Sequence, residues 1–160
     1  MRSHDRSMIA IDSMILMHAY RDKFATAELK DWHRKSRALL NQLFKDEVVV
    51  CVSTISICEF LVGIPESEHT SMVNHFNETF TVAPFNLRAA IIAATLVPNA
   101  KKLISGDRTV VYADTKIIGS LLAHGCKRVE TFDKKFARIA TPHFRKVNQL
   151  QIQPDLPGID

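Results

Sequence analysis

Residues 112–136, YADTKIIGSLLAHGCKRVETFDKKF, carry an acid where an apolar residue belongs. Ile117, Ile118, Leu121 and Leu122 recur at helical spacing and mark the inward stripe of a helix. Asp114 precedes the isoleucines by three and four positions and the leucines by seven and eight, which places it on that same stripe. Gly125 ends the helix, because glycine takes the left-handed C-terminal conformation without steric cost. Val129–Phe132 then reads as a short strand, with Asp133 directly at its carboxyl end. Burying an isolated carboxylate costs on the order of several kcal/mol unless something pairs it. A single such acid would find a lysine or cap a helix. Two acids aimed at one place favour a cation.

Upstream, Met8–Ile11 is an apolar strand that ends in Asp12 and Ser13, where a helix begins. Asp and Ser are also common helix N-caps, so a capping role stands beside a ligand role. Thr26 caps a second helix running to about Phe44, with Trp32, Ser36, Leu39, Leu40 and Leu43 inward and Arg34, Lys35 and Arg37 together as a solvated face, with a phosphate-contacting patch as the alternative. Val48–Val52 has the uninterrupted β-branched character of a strand buried on both faces. Ser53 or Thr54 caps the helix ISICEFLVG, in which Ile55, Glu59 and Val62 share one side. Glu59 thus repeats the anomaly of Asp114. Gly63 and Pro65 end that helix, and Ser67 caps another through Phe76. Phe80–Ala83 is a third strand, and Asn86 caps a helix closed by Pro98. Lys101–Val111 reads as a basic loop or partial helix, and it contains Asp107, a rival to Asp114. The apolar stripe favours Asp114, since Asp107 follows Gly106 in a turn-like setting. Ala137–Phe144 is a short helix or turn, and Lys146–Asn148 a last strand.

A chain of 160 residues with 46% hydrophobic content makes one domain with a real core. The expected division is a flexible N-terminus over residues 1–7, a single domain over 8–148 and a tail over 149–160. The net charge of +4 permits a polyanionic partner without demonstrating one. Cys51, Cys58 and Cys126 sit in apolar runs without a CxxC pair, which suits buried reduced thiols in a cytoplasmic protein. No apolar run reaches the roughly 20 residues that span a bilayer, so no membrane association is expected.

Strands alternating with helices predict an α/β fold with a parallel sheet covered on both faces. Ligands of such sheets bind beyond the carboxyl ends of the strands. Asp12, Glu59, Asp114 and Asp133 would meet at that edge. Carboxylates brought together raise one another's pKa, and hard divalent ions such as Mg2+ or Mn2+ relieve the repulsion. Such ions make water nucleophilic towards a phosphodiester. The seven histidines form no HExxH or other zinc pattern, and no GxxxxGK[ST] or GxGxxG loop supports a nucleotide cofactor.

IDSMIL after the first strand, STISICEFLVG after the second, and ADTKIIGSLLAHG followed by TFDKKF resemble the motifs of PIN-domain ribonucleases. The likeness runs from about Met8 to Val147 and is nearest to the small VapC-like toxins of toxin–antitoxin pairs. It implies a three-layer α/β/α sandwich with a parallel sheet of about five strands. It also implies a Mg2+- or Mn2+-dependent endoribonuclease in which metal-activated water hydrolyses RNA to a 5′-phosphate and a 3′-hydroxyl. The catalytic and metal-binding acids would be Asp12, Glu59, Asp114 and Asp133, with Asp133 completing the site. Ser13 and Thr131 would orient carboxylates or water from behind. An antitoxin protein and a homodimer are the implied partners. A non-catalytic PIN-like module that binds RNA or protein is the alternative, against which four acids count. A phospho-receiver fits poorly, since strand three is followed by Pro84-Phe85 rather than an acceptor aspartate.

Overall fold

A computed structural model describes residues 8–21, 26–104 and 108–151, so Asp107, residues 1–7 and most of the 149–160 tail lie outside the described residues. Five strands, Ile9–Ile11 (β1), Val50–Ser53 (β2), Thr81–Ala83 (β3), Arg128–Thr131 (β4) and Lys146–Gln149 (β5), form one all-parallel sheet in the order β3-β2-β1-β4-β5. The helices are Ser13–Tyr20 (α1), Ala27–Lys45 (α2), Thr54–Val62 (α3), Glu66–Thr79 (α4), Leu87–Leu103 (α5), Arg108–Ala123 (α6) and Lys134–Ala140 (α7).

Alternation along the strands divides the core in two. Ile9, Ile11, Val50 and Val52 pack with side chains of α1–α4, such as Leu16, Leu40, Phe60 and Phe76. Ala10, Cys51, Ala83 and Val129 pack with α5–α7, through Leu96, Ile118, Leu121 and Ile139. The result is the α/β/α sandwich, with the central strands β1 and β2 buried on both sides as a covered parallel sheet requires. From β1 the chain moves outward to β2 and β3 with its helices on one face. It then crosses to β4 and β5 with its helices on the other. Right-handed crossovers demand that change of face when the direction reverses. β1 and β4 therefore flank the reversal point, beyond whose carboxyl ends such sheets bind ligands. Asp12 follows β1 there, and Asp133 follows β4.

Local expectations fail where one residue was given too much weight. Pro98 lies inside α5, which continues to Leu103. Both Pro98 and Ala94 are exposed, so the carbonyl deprived of its amide partner faces water and the helix tolerates the ring. The described parts of 101–111 are helical, closing α5 and opening α6, apart from Ile104. Pro65, not Ser67, stands at the N-cap of α4, where Glu66 and Glu68 complement the helix dipole. In α3 the buried face is Ser56, Ile57 and Phe60, while Val62 is 83% exposed. Cys58 is exposed as well and is no buried thiol. Glu59 is half-buried at the border of that face rather than central to it.

Two glycines set α6. Gly125 takes a φ of 91°, the left-handed turn that stops the helix. At Gly119 a side-chain Cβ would meet the Ala89 carbonyl oxygen at 2.6 Å and the Ala93 Cβ at 3.0 Å. Only a residue without Cβ lets α5 and α6 approach so closely, and that approach fixes where α6 holds Asp114.

Candidate functional site

Asp12 is the first residue beyond β1 and the N-cap of α1, its Oδ1 accepting the Ile15 amide at 3.0 Å. Its Oδ2 accepts the hydroxyl of Thr131, the last residue of the neighbouring strand β4. Thr131 Oγ1 in turn accepts the Asp133 amide at 2.9 Å. An amide N–H can only donate, so Thr131 accepts from Asp133 and spends its one proton on Asp12. Asp133 caps α7, its Oδ1 receiving the amides of Lys135 at 2.7 Å and Phe136 at 3.2 Å. Both acids are thus built into helix starts and tied to each other through one threonine. The capping reading and the cleft reading of Asp12 hold together.

Asp114 comes from α6, which covers the opposite face of the sheet from α1, and is 9% exposed. Its Oδ2 is buried and has no hydrogen-bond partner. Burial pushes its carboxyl up to about 7, helped by the charges of Asp133, Glu59 and Asp12 and opposed by Lys135. Burial likewise raises Asp12 to about 7, with Asp133 adding and the bonds from Thr131 and the Ile15 amide opposing. Glu130 offers the contrast. That carboxylate is completely buried, yet Arg128 pairs with it at 2.7 Å and Asn148 donates to it at 2.6 Å. The fold satisfies a structural acid and leaves Asp114 unsatisfied.

Asp12, Ser13, Glu59, Asp114 and Asp133 line one cleft of about 150 Å3, walled on its apolar side by Met17, Ile117 and Phe136. Among the described residues no hydrogen bond or ion pair engages the Glu59 carboxylate, so the lysine or arginine partner of a purely structural glutamate is missing. Oxygen donors alone, with one of them orphaned, suit a hard divalent cation. Among the described residues no three acidic, histidine or cysteine side chains already stand close enough to share an ion. A bound cation would have to draw the carboxylates inward.

Ser13 lines the cleft, but its hydroxyl goes to Ser56 Oγ at 3.1 Å, and Ser56 lies 3.0 Å from Ser53 Oγ. This buried serine row fastens the start of α1 to the start of α3, and so holds Asp12 and Glu59 on adjoining supports. Ser53 and Ser56 escaped the sequence reading as site residues. Their signal was a hydroxyl at the cap and another three residues on, one turn before Glu59.

The PIN domain family model matches residues 9–142. No curated protein matches the sequence. Among solved structures, VapBC2 from Rickettsia felis bound to a DNA fragment from their promoter aligns at 17% identity and TM-score 0.62, covering 90% of this chain and 99% of that one. DNA-bound VapBC from Salmonella typhimurium aligns at 18% identity and TM-score 0.60, covering 89% and 98%. FitAcB from Neisseria gonorrhoeae aligns at 18% identity and TM-score 0.58, covering 89% and 97%. Identities this low carry the fold alone.

Proposed function

The chain belongs to the PIN-domain family, and on that premise we propose that it is a metal-dependent endoribonuclease acting as the toxin of a toxin–antitoxin pair. The observation that carries this reading is the cleft shared by Asp12, Glu59, Asp114 and Asp133, with a buried Asp114 oxygen left unpartnered. Asp12, Glu59 and Asp114 would hold Mg2+ or Mn2+, and Asp133 would complete the site. The ion would supply Lewis-acid activation of water and neutralise charge at the phosphodiester. The chain's own residues prepare for it. Thr131 orients Asp12 and favours its ionised form. The acids by themselves repel a phosphate, so the phosphate to be cut enters the acid cleft only once a cation is held. Lys134 and Lys135, exposed beside Asp133, draw the strand towards that position.

An antitoxin protein is the proposed partner. The fold shared with VapBC proteins and the resemblance to VapC-like toxins support it. The proposed setting is a homodimer in the cytoplasm. Among the described residues no helix is long and apolar enough to cross a membrane. The deciding experiment is cleavage of single-stranded RNA with Mn2+ or with EDTA, by the parent and by Asp114→Asn. Cleavage that needs Mn2+, leaves 5′-phosphates and disappears in the variant is expected. Cleavage untouched by EDTA or by Asp114→Asn would overturn the reading.

A further inference from the structure

The acid cleft, at about 150 Å3, has room for an ion and phosphate oxygens but lies well below the roughly 300–1,000 Å3 of sites that enclose an organic ligand. A nucleotide must be held elsewhere. A second cavity of about 740 Å3 shares Asp133 with the acid cleft and so opens directly beside it. Resting on the nuclease reading above, we propose that this cavity seats one unpaired base of the RNA next to the phosphate to be cut, with Trp32 as its stacking surface.

Trp32 is half-buried and lines the cavity. Its ring is parallel to that of Phe132, at 1° and 5.6 Å between centroids, and the His18 ring meets it edge-on at 4.6 Å. A clamped aromatic loses little freedom when a base stacks on it, and every base offers a π-face. Lys134 and Lys135 also line the cavity, exposed and in no salt bridge among the described residues, where a backbone phosphate would pass. Another wall is formed by Gln149, the last residue of β5, with Leu150 and Gln151 just beyond the strand. That wall is pinned, because the Leu150 amide donates to the Thr131 carbonyl at 2.8 Å and Lys35 Nζ to the Gln151 carbonyl at 3.2 Å. Glutamine amides both donate and accept, as the edge of a base requires. Lysine charge, a fixed ring and amide groups together suit a nucleotide better than an apolar peptide.

Trp32 is the chain's single tryptophan, so its emission reports on the cavity directly. The full chain is titrated in EDTA, where no cleavage is expected, with a short single-stranded RNA and with a strand of the same length that keeps the ribose phosphates but lacks bases. The RNA is expected to quench Trp32 emission and to bind about tenfold more tightly than the abasic strand. Gln151→Ala, an exposed position whose backbone carbonyl alone is bonded among the described residues, is expected to weaken RNA binding severalfold and to leave the abasic strand unaffected. Trp32→Phe is expected to keep most of the affinity and Trp32→Ala to lose about tenfold, thermal melts reporting whether each folds. Equal binding of RNA and abasic strand, or equal displacement by polyglutamate, would overturn the base site while leaving Mn2+-dependent cleavage intact. Failure of the nuclease reading would instead remove cleavage itself.

Discussion

Thr131 at the end of β4 donates its hydroxyl to Asp12 at the end of β1, joining the two strands at the point where the sheet reverses direction. The bond is one-way, because the Asp133 amide occupies the threonine as acceptor. It lowers the pKa of a buried acid that burial otherwise raises, and so favours the form that can ligate a cation.

Thr131→Val keeps the shape and removes both bonds. The expected cost is about 1–3 kcal/mol of stability, since a buried carboxylate oxygen and an amide lose their partner. Cleavage should fall about 10- to 100-fold, as for other groups that support metal ligands. Its pH midpoint should move upward, because Asp12 is left harder to ionise. Thr131→Ser should restore most of each effect. A pH midpoint unchanged in the valine variant would show that the bond is only structural.

Asp114→Asn removes one charge from a group of mutually repelling acids. Metal-free stability should hold or rise, by about 1 kcal/mol at most, while stabilisation by Mn2+ should disappear. Thermal melts with and without Mn2+ measure both. Asp107→Asn should behave like the parent in cleavage. A reversal of the two would make Asp107 the third acid.

Asp12 and Asp114 each rise from an ordinary 3.8 to about 7 in the folded chain. Between those values the folded state binds protons that the unfolded state has released, so stability falls as pH rises. That contribution is complete below the unfolded value and gone above the folded one. Mn2+ needs the deprotonated ligands, so its stabilising effect should grow across the same window. Melts in EDTA and in Mn2+ from about pH 5 to about pH 8 should diverge in this way. Asp12→Asn with Asp114→Asn should flatten both trends, and equally steep curves in that double variant would refute the assignment.

The parallel sheet, the acids after β1 and β4, and the inward placement of Asp114 were legible because each rests on local spacing. Asp114 stands out in its stripe, and Gly125 announces the end of its helix. What was not legible depended on partners distant in sequence. Ser13 was expected to orient a carboxylate or water, and its bond to Ser56, 43 positions away, was not legible. The face of α3 was misjudged because Val62 looks apolar, whereas the sheet below selects Ser56, Ile57 and Phe60. Pro98 misled for a similar reason. Whether a proline breaks a helix depends on whether the orphaned carbonyl reaches water, and sequence does not show exposure.

Gly119→Ala tests how tightly α6 is positioned. The added methyl would press on the Ala89 carbonyl at 2.6 Å, a backbone atom that cannot swing aside. A cost of about 1–3 kcal/mol is expected, as for other overpacked cores. Since α6 carries Asp114, Mn2+ should also stabilise the variant less than the parent. Denaturant unfolding checks the first effect and melts with Mn2+ the second. A neutral Gly119→Ala would mean that α5 and α6 separate easily.

Glu59 is where structural and functional demands part most clearly. It is half-buried at the border of α3, it lines the acid cleft, and among the described residues no cation or donor holds its carboxylate. Its charge instead helps to raise Asp114. Removing it should therefore relieve repulsion and break no bond. Glu59→Gln and Glu59→Leu are both expected to unfold cooperatively in metal-free buffer at or above the parent's stability. Replacing buried charge by a group of similar size often gains about 1–4 kcal/mol, and half-burial should place Glu59 near the lower end. Added Mn2+ should stabilise either variant less than the parent, and RNA cleavage should be lost in both. The glutamine variant is the sharper of the two, because it keeps the shape and changes only the charge. If Glu59→Gln proved less stable without metal yet cut RNA at the parental rate when folded, Glu59 would be a structural residue. The cation would then rest on Asp12, Asp114 and Asp133.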